Sequence, residues 1–364
     1  MGHDSRNILD YDTVNLNKNN NSLEIIDQTK LPGNIEIINL TKAEEMWDAI
    51  YLLKVRGAPA IGVAAAIGIY VLASKFEYRD KEDFFDQFEK SKNYLNSSRP
   101  TAVNLSWALN RMDKLCRDNS VKNVPEIIQL LKEEALKIRQ EDIDVCRSIG
   151  EYGLTLVHKN DGLLTHCNAG QLATVKYGTA TAPMYLGFER GYSFRIYCDE
   201  TRPLLQGARL TSFELSSAGM DVTLLCDNMS ASLMKKGLVD AVFVGCDRVA
   251  ANGDAANKIG TLGVSIIANH FNVPVYICAP TSTIDMNTHT GDDIVIEQRK
   301  PEEVTKMWYK EKMAPENINV YNPAFDVTDH ELITAIVTEH GIIYPPFEEN
   351  FKKILLCKQQ GPGK

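Results

Sequence analysis

The run VFVGCDRVAANGDAANKIGT at 242–261 carries a density of functional groups that is unusual beside a buried strand. Residues 241–245 read as that strand. Asp247, Arg248, Asn252, Asp254, Asn257 and Lys258 follow, separated mostly by small residues, before an apolar helical pattern resumes at Ile259 and runs to about Phe271. A strand that empties into a polar turn and then a helix is how an α/β sheet presents chemistry at its carboxyl edge. The pattern places Asn257 and Lys258 near the helix's first turn, where free N–H groups and the helix dipole favour an anion. Asp247 stands at the strand end, facing the same crevice, as a candidate acid. The alternative for the same residues is a solvated loop with a capping Asp.

A second group surrounds Cys167. The strand at 162–166 leads into Cys167-Asn168-Ala169-Gly170, with a helix expected from about Gln171. A thiol near a helix N-terminus is favoured as thiolate. His166 precedes it on the strand and so points to the opposite face, which disfavours a Cys–His hydrolytic pair. Later strand ends deliver Asp199-Glu200-Thr201-Arg202, then Gln206, Asp227-Asn228 and a small-residue turn at 279–285. No clustered His/Asp/Glu set suggests a catalytic metal, and no GxGxxG follows the first strand to suggest a dinucleotide. Upstream, Arg56-Gly57-Ala58 precedes Pro59 at a helix start, so the Gly57 and Ala58 amides and the Arg56 guanidinium suit a phosphate. Arg56 fits a surface charge equally well. Arg99 repeats the arrangement before the next helix start.

Positioning these groups requires two kinds of scaffold. Residues 13–16, 22–27 and 35–40 read as a small antiparallel β region, followed by helices at 42–54, 59–73, 81–95, 103–115, 124–138 and 141–157. From Asp161 the pattern becomes βα alternation, with strands at 162–166, 193–198, 222–226, 242–244 and 273–278, which implies a parallel sheet covered on both faces. The fold class is therefore α/β, a mostly helical N-terminal domain with a small antiparallel region, then a Rossmann-like parallel-sheet domain. The expected divisions are 1–125, a connecting helix at 126–160, the sheet domain at 161–357 and an unstructured tail at 358–364.

Composition narrows the function. A formal charge of −9 over 364 residues, with no Lys/Arg-rich run, argues against a nucleic-acid partner and for a small anionic ligand held by local cations. The eight cysteines show no CxxC pair, and apart from Cys167 they read as free, buried thiols of a reducing cytoplasm. The polar opening twenty residues do not read as a signal peptide. The apolar stretch at 58–73 is too short for a membrane span and reads as a buried helix.

Seven ordered motifs make the chain resemble the methylthioribose-1-phosphate isomerase family: RGAPAIG at 56–62, RPTAVNL at 99–105, HCNAGQLAT at 166–174, ETRPLLQGARLT at 200–211, GCDRVAANGDAANKIGT at 245–261, APTSTID at 279–285 and YNPAFDVT at 321–328. That family's fold extends to ribose-1,5-bisphosphate isomerases and to regulatory subunits of a translation-initiation exchange factor. The resemblance implies Cys167 and Asp247 as the catalytic pair, and Arg56, Gly57, Ala58, Arg99, Gln206, Asn257 and Lys258 as substrate-binding residues. It implies an aldose–ketose isomerisation of a sugar 1-phosphate with no cofactor or metal, in a cytoplasmic homodimer with neither nucleic-acid nor membrane partners. Asp247, kept protonated by a desolvated site, would protonate the ring oxygen; Cys167 would take the C2 proton or stabilise charge during a hydride shift. Cys246, where the family has alanine, and Gln171 depart from the pattern beside these two residues. A 5-deoxyribose-1-phosphate isomerase, a ribose-1,5-bisphosphate isomerase and a non-catalytic regulatory subunit are the alternatives.

Overall fold

The computed structural model describes residues 7–100 and 102–359, in which contacts divide the chain into one unit of Met1–Cys146 with Gly170–Gly178 and another of Arg147–Ala169 with Thr179–Lys364. Thr101 of the RPTAVNL motif, the first six residues of the polar N-terminus, the 360–364 part of the expected tail and the Cys357 side chain lie outside the described residues.

In the first unit, β1 (Val14–Asn17), β2 (Ser22–Ile26) and β3 (Ile37–Leu40) pair antiparallel as expected, with Val14 opposite Ile25 and Leu23 opposite Leu40. Val14, Leu16, Leu23, Ile25 and Leu40 are buried, the period-two face of a sheet with one side in the core. The helices are α1 (Ala43–Tyr51), α2 (Ala58–Ala73), α3 (Lys81–Asn96), α4 (Val103–Asp118) and α5 (Val124–Leu154). Helix α2 is buried from Ala60 to Ala73, and this apolar character on all sides is what a central helix requires. Among the described residues no helix is long and apolar enough to cross a membrane. Gly57 caps α2 with φ +89, and a Cβ there would lie 2.4 Å from the Ala173 backbone. Only glycine fits this approach.

Two expectations are corrected here. The helices read at 124–138 and 141–157 are one 31-residue helix, α5. Arg139 and Gln140 carry no helix breaker, and Gln140 donates to Asp144 one turn on. The helix expected from Gln171 is a single 3-10 turn, Gln171–Ala173. The segment 170–178 sends its polar groups elsewhere: Gln171 O accepts from Thr13 Oγ1 at 2.8 Å, Leu172 O from Gln28 Nε2 at 2.7 Å, and Val175 N–H donates to Asp142 at 2.6 Å. With those bonds made laterally, no i→i−4 ladder forms.

In the second unit the strands are β4 (Gly162–Thr165), β5 (Arg195–Asp199), β6 (Asp221–Leu225), β7 (Ala241–Val244), β8 (Arg248–Ala250), β9 (Ala255–Lys258), β10 (Val275–Cys278), β11 (Ile284–Asp285), β12 (Phe325–Thr328), β13 (Ala335–Thr338) and β14 (Gly341–Ile343). The helices are α6 (Ala182–Glu189), α7 (Ser212–Ser217), α8 (Ser230–Lys235), α9 (Thr261–His270), α10 (Glu302–Thr305) and α11 (Phe347–Gln359). Helix α11 includes Lys358 and Gln359, which the sequence reading assigned to the tail. A seven-stranded sheet runs β14-β13-β10-β7-β4-β5-β6, parallel except for β14. Every residue of β4, β7, β10 and β13 is buried, which explains their largely apolar sequences. From β4 the chain first adds β5 and β6 on one side, then β7, β10 and β13 on the other, so the order reverses between β4 and β7.

The turn expected after β7 is instead a hairpin, β8–β9, inside a second sheet of order β11-β8-β9-β12. Its strands are three and four residues long and rich in alanine, and their partners β11 and β12 arrive much later in the chain. Local propensity cannot announce such pairing.

Two predictions arise from the first unit. Burial pushes Asp142 up to about 7, against the Val175 N–H and Arg139, which lower it. A raised acid favours the folded state while protonated, so this contribution is fully present below about pH 4 and is lost as pH rises towards 7. Asp142 keeps partial exposure, which limits the cost to about 1–2 kcal/mol. Asp142→Asn is therefore expected to match the wild type in melting temperature near pH 3.5 and to exceed it by about 1–3 °C at pH 8; a pH-independent difference would refute this. Gly57→Ala, by contrast, should lose about 2 kcal/mol or more at every pH in a denaturant titration.

Candidate functional site

Cys167 and Asp247 follow the two strands that flank the reversal of the main sheet. β4 and β7 are parallel neighbours with Leu164 opposite Val242, so their carboxyl ends emerge side by side. The two following loops touch, since a Cβ on Gly245 would lie 2.4 Å from the Ala169 side chain. In open α/β sheets the crevice at such a reversal is where ligands bind.

Cys167 is 7% exposed and adopts φ +66, the left-handed region. Its N–H donates to Thr201 Oγ1 at 2.8 Å, and its carbonyl accepts from Thr211 Oγ1 at 2.5 Å. The expectation of a helix N-terminus beside the thiol is not met, because the next α-helix, α6, begins at Ala182. Asp247 is exposed, and its N–H donates to Ala256 O at 2.9 Å, which ties it to β9. The sequence reading expected this carboxyl in a desolvated site, whereas the residue is exposed.

Gln206 lies in the loop after β5, 7% exposed, with its Oε1 buried and without a hydrogen-bond partner among the described residues. Asn257 and Lys258 sit on β9, one turn earlier than the sequence reading placed them. Asn257 is buried and donates to Thr261 Oγ1 at 3.0 Å. Lys258 Nζ donates to Ala324 O at 2.9 Å and lies 4.6 Å from the centre of the Phe325 ring. The α9 N-terminus is occupied by a carboxylate from the chain itself, since Asp326 accepts from Gly260 N at 2.7 Å and from Leu262 N at 3.2 Å. Two other polar residues of the 242–261 run serve the fold. Asp254 accepts from Asn252, Gly291 and His330, and so pins three loops together.

Arg56, Gly57, Ala58 and Arg99 belong to the first unit. Arg56 and Gly57 precede α2, Ala58 is its first residue, and Arg99 stands in the loop before α4. Arg56 and Arg99 are both partly exposed.

Sequence reasoning missed a cluster of two buried residues and one partly buried one. His166, Asp199 and Asp227 bring ligand-type atoms within 4.8 Å of one another, which corrects the expectation that no such group exists. His166 Nδ1 lies 3.1 Å from Asp199 Oδ2, and Nε2 lies 2.9 Å from Ile259 O. Asp227 accepts from Thr201 N at 2.6 Å and Arg202 N at 2.7 Å. Both imidazole nitrogens and both Asp227 oxygens are thus engaged in bonding within the protein. Burial works against a charged His166 ring, but the bond and charge of Asp199, with Asp227 and the Ile259 carbonyl, raise its pKa overall. Thr201 and Thr211 were also missed, because neither residue type signals a site by itself.

The remaining cysteines divide by environment. Cys116, Cys146, Cys198 and Cys278 are buried and in no disulfide, as expected, but Cys226 is exposed. Cys246 is partly exposed, and its thiol donates to the Arg248 and Ala256 carbonyls at 3.0 and 3.2 Å.

The chain is similar along nearly its whole length to known proteins. The chain is 58% identical to a methylthioribose-1-phosphate isomerase of Symbiobacterium thermophilum, over 95% of this chain and 97% of that one. It is 57% identical to a 5-deoxyribose 1-phosphate isomerase of Clostridium botulinum, over 92% and 96%. The crystal structure of 5-methylthioribose 1-phosphate isomerase from Pyrococcus horikoshii superposes with a TM-score of 0.92 at 43% identity, covering 95% of this chain and 96% of that one. Residues 54–345 match the Initiation factor 2 subunit family. Together these likenesses show that the chain belongs to the Initiation factor 2 subunit family and, within it, to the methylthioribose-1-phosphate isomerase family.

Proposed function

We propose that this protein is an aldose–ketose isomerase that converts 5-methylthioribose 1-phosphate to 5-methylthioribulose 1-phosphate, with Cys167 and Asp247 as its catalytic pair. The observation that carries the reading is the placement of both residues at the ends of adjacent parallel strands, where the sheet order reverses. The full-length likeness to isomerases of sugar 1-phosphates supports the substrate class.

A phosphate on the anomeric carbon blocks ordinary ring opening. In the proposed sequence Asp247 gives a proton to the ring oxygen as its bond to C1 breaks. A hydrogen then leaves C2 and arrives at C1, either as a proton relayed by Cys167 or as a direct hydride. Loss of the C2 hydroxyl proton completes the ketone and restores the acid. C1 is reduced as C2 is oxidised, so the balance requires no external oxidant or reductant. Asp247 is exposed in this structure, and a bound substrate would cover it. A phosphate dianion nearby, and the water it displaces, both raise a carboxyl pKa. Arg56 with the Gly57 and Ala58 amides, Arg99, Gln206, Asn257 and Lys258 are assigned to substrate binding. The working form is read as a cytoplasmic homodimer, and free thiols such as Cys198 and Cys278 suit a reducing compartment.

The second reading, a 5-deoxyribose-1-phosphate isomerase, is favoured by relatives of that name at nearly the same identity. A pocket shaped for a methylthio group discriminates by about 10- to 100-fold in kcat/KM against a substrate lacking it. Parallel kinetics on 5-methylthioribose, 5-deoxyribose and ribose 5-phosphate derivatives, each phosphorylated at C1, are expected to rank the methylthio sugar first by that margin. A first place for the deoxy sugar would shift the assignment. For the catalytic pair, Asp247→Asn and Cys167→Ser are each expected to lower kcat by about 1,000-fold or more while substrate still binds in calorimetry. Near wild-type turnover by both variants would remove the pair from the mechanism.

A further inference from the structure

Among the described non-glycine residues with positive φ, Cys167 (+66), Thr201 (+65) and Leu205 (+56) all lie in the loops that follow β4 and β5. A β-branched residue at positive φ is a true outlier, and such strain persists only where its surroundings over-determine it. The means of holding it are visible. The Asp227 carboxylate takes the N–H groups of both Thr201 and Arg202. Thr201 Oγ1, thus placed, donates to Asp199 O at 3.0 Å and accepts the Cys167 N–H at 2.8 Å. Thr211 Oγ1 donates to the Cys167 carbonyl and accepts from Asn168 Nδ2 at 3.0 Å. Both threonines are fully buried, so water cannot replace either hydroxyl. Thr211 closes a π-helical turn, Gly207–Thr211, a rare irregularity often found at functional sites.

We infer that Thr201 and Thr211 are positioning residues that clamp the Cys167 backbone from both sides, and that Asp227 sets the clamp by fixing Thr201. This inference rests on the catalytic reading of Cys167 and deepens it. Neither hydroxyl is assigned to substrate, so the clamp acts on the chemical step through the placement of the thiol and leaves binding alone.

The test compares Thr201→Val, Thr201→Ser and Cys167→Ser with the wild type on 5-methylthioribose 1-phosphate. Valine preserves shape and removes the hydroxyl, whereas serine restores it. Thr201→Val is expected to lose about 10- to 100-fold in kcat with KM within about twofold, and Thr201→Ser to recover most of that loss. Alkylation of Cys167 by iodoacetamide, followed by peptide mass mapping, is expected to accelerate in Thr201→Val while alkylation of exposed Cys226 is unchanged. If Thr201→Val does not fold, Thr211→Val with Thr211→Ser as its rescue carries the same comparison. Wild-type kcat in the valine variants, or serine variants as impaired as the valine ones, would overturn the clamp. Full activity in Cys167→Ser would instead overturn the catalytic reading beneath it, so the two failures are told apart.

Discussion

The His166 imidazole is bound at both nitrogens, to the Asp199 carboxylate and to the Ile259 carbonyl, with its side chain closed to solvent. Through that one ring the end of β4, the end of β5 and the turn between β9 and α9 are tied to each other. No water can step in if a partner is lost, so each unmade bond would cost about 1–3 kcal/mol. Gly260 lies against the ring at φ +105, where a Cβ would come within 2.7 Å of Cε1. On the other side of that turn Asp326 holds the Gly260 and Leu262 amides. The strand end bearing Asn257 and Lys258 is therefore held from two directions, and Cys167 directly follows the ring that does part of the holding.

Around this anchor the main sheet separates rigidity from chemistry. Its central strands are buried along their whole length and carry only packing. The loops at their carboxyl ends carry the polar groups and the strained backbone. Left-handed conformations at Cys167 and Thr201 cost on the order of 1–3 kcal/mol each. Buried hydrogen bonds from Asp227, Thr201 and Thr211 hold them, and a rigid sheet beneath lets those bonds be made with fixed geometry. The hairpin β8–β9 serves the same end, because it converts what reads as a flexible polar loop into paired strands with Asp247 at their base.

Much of this was legible from residue pattern. The strands at 162–166, 193–198, 242–244 and 273–278 were readable because parallel strands covered on both faces must be mainly apolar, whereas the strand at 222–226 is an exposed edge strand and was readable from its Val222-Thr223-Leu224-Leu225 run alone. The observed β4, β5, β6, β7 and β10 fall on those runs within a few residues. The hairpin and its sheet were not readable. Ala255, Ala256, Asn257 and Lys258 have little strand preference, and their pairing with Phe325–Thr328 comes from a distant part of the chain. The break placed inside α5 had no physical basis in the residues there, and the helix imagined after Gly170 was pre-empted by lateral bonds from Thr13, Gln28 and Asp142.

What the sequence determined by itself was the inventory and its order: a thiol after one buried strand, a carboxyl after another, and cations beside glycines and helix starts. Those depend on neighbours within a few residues, where hydrophobic period and turn chemistry act. The tertiary structure decided which groups remain available and which are used to build the fold. Asp254, Asn252 and His166 look equally chemical in the sequence, yet each is taken up by internal bonds. The partners that settle this for Cys167 and His166 lie 33, 34, 44 and 93 residues away. Hydrogen bonds of that reach form only once the sheet has brought the strand ends together, so no local pattern could have foretold them.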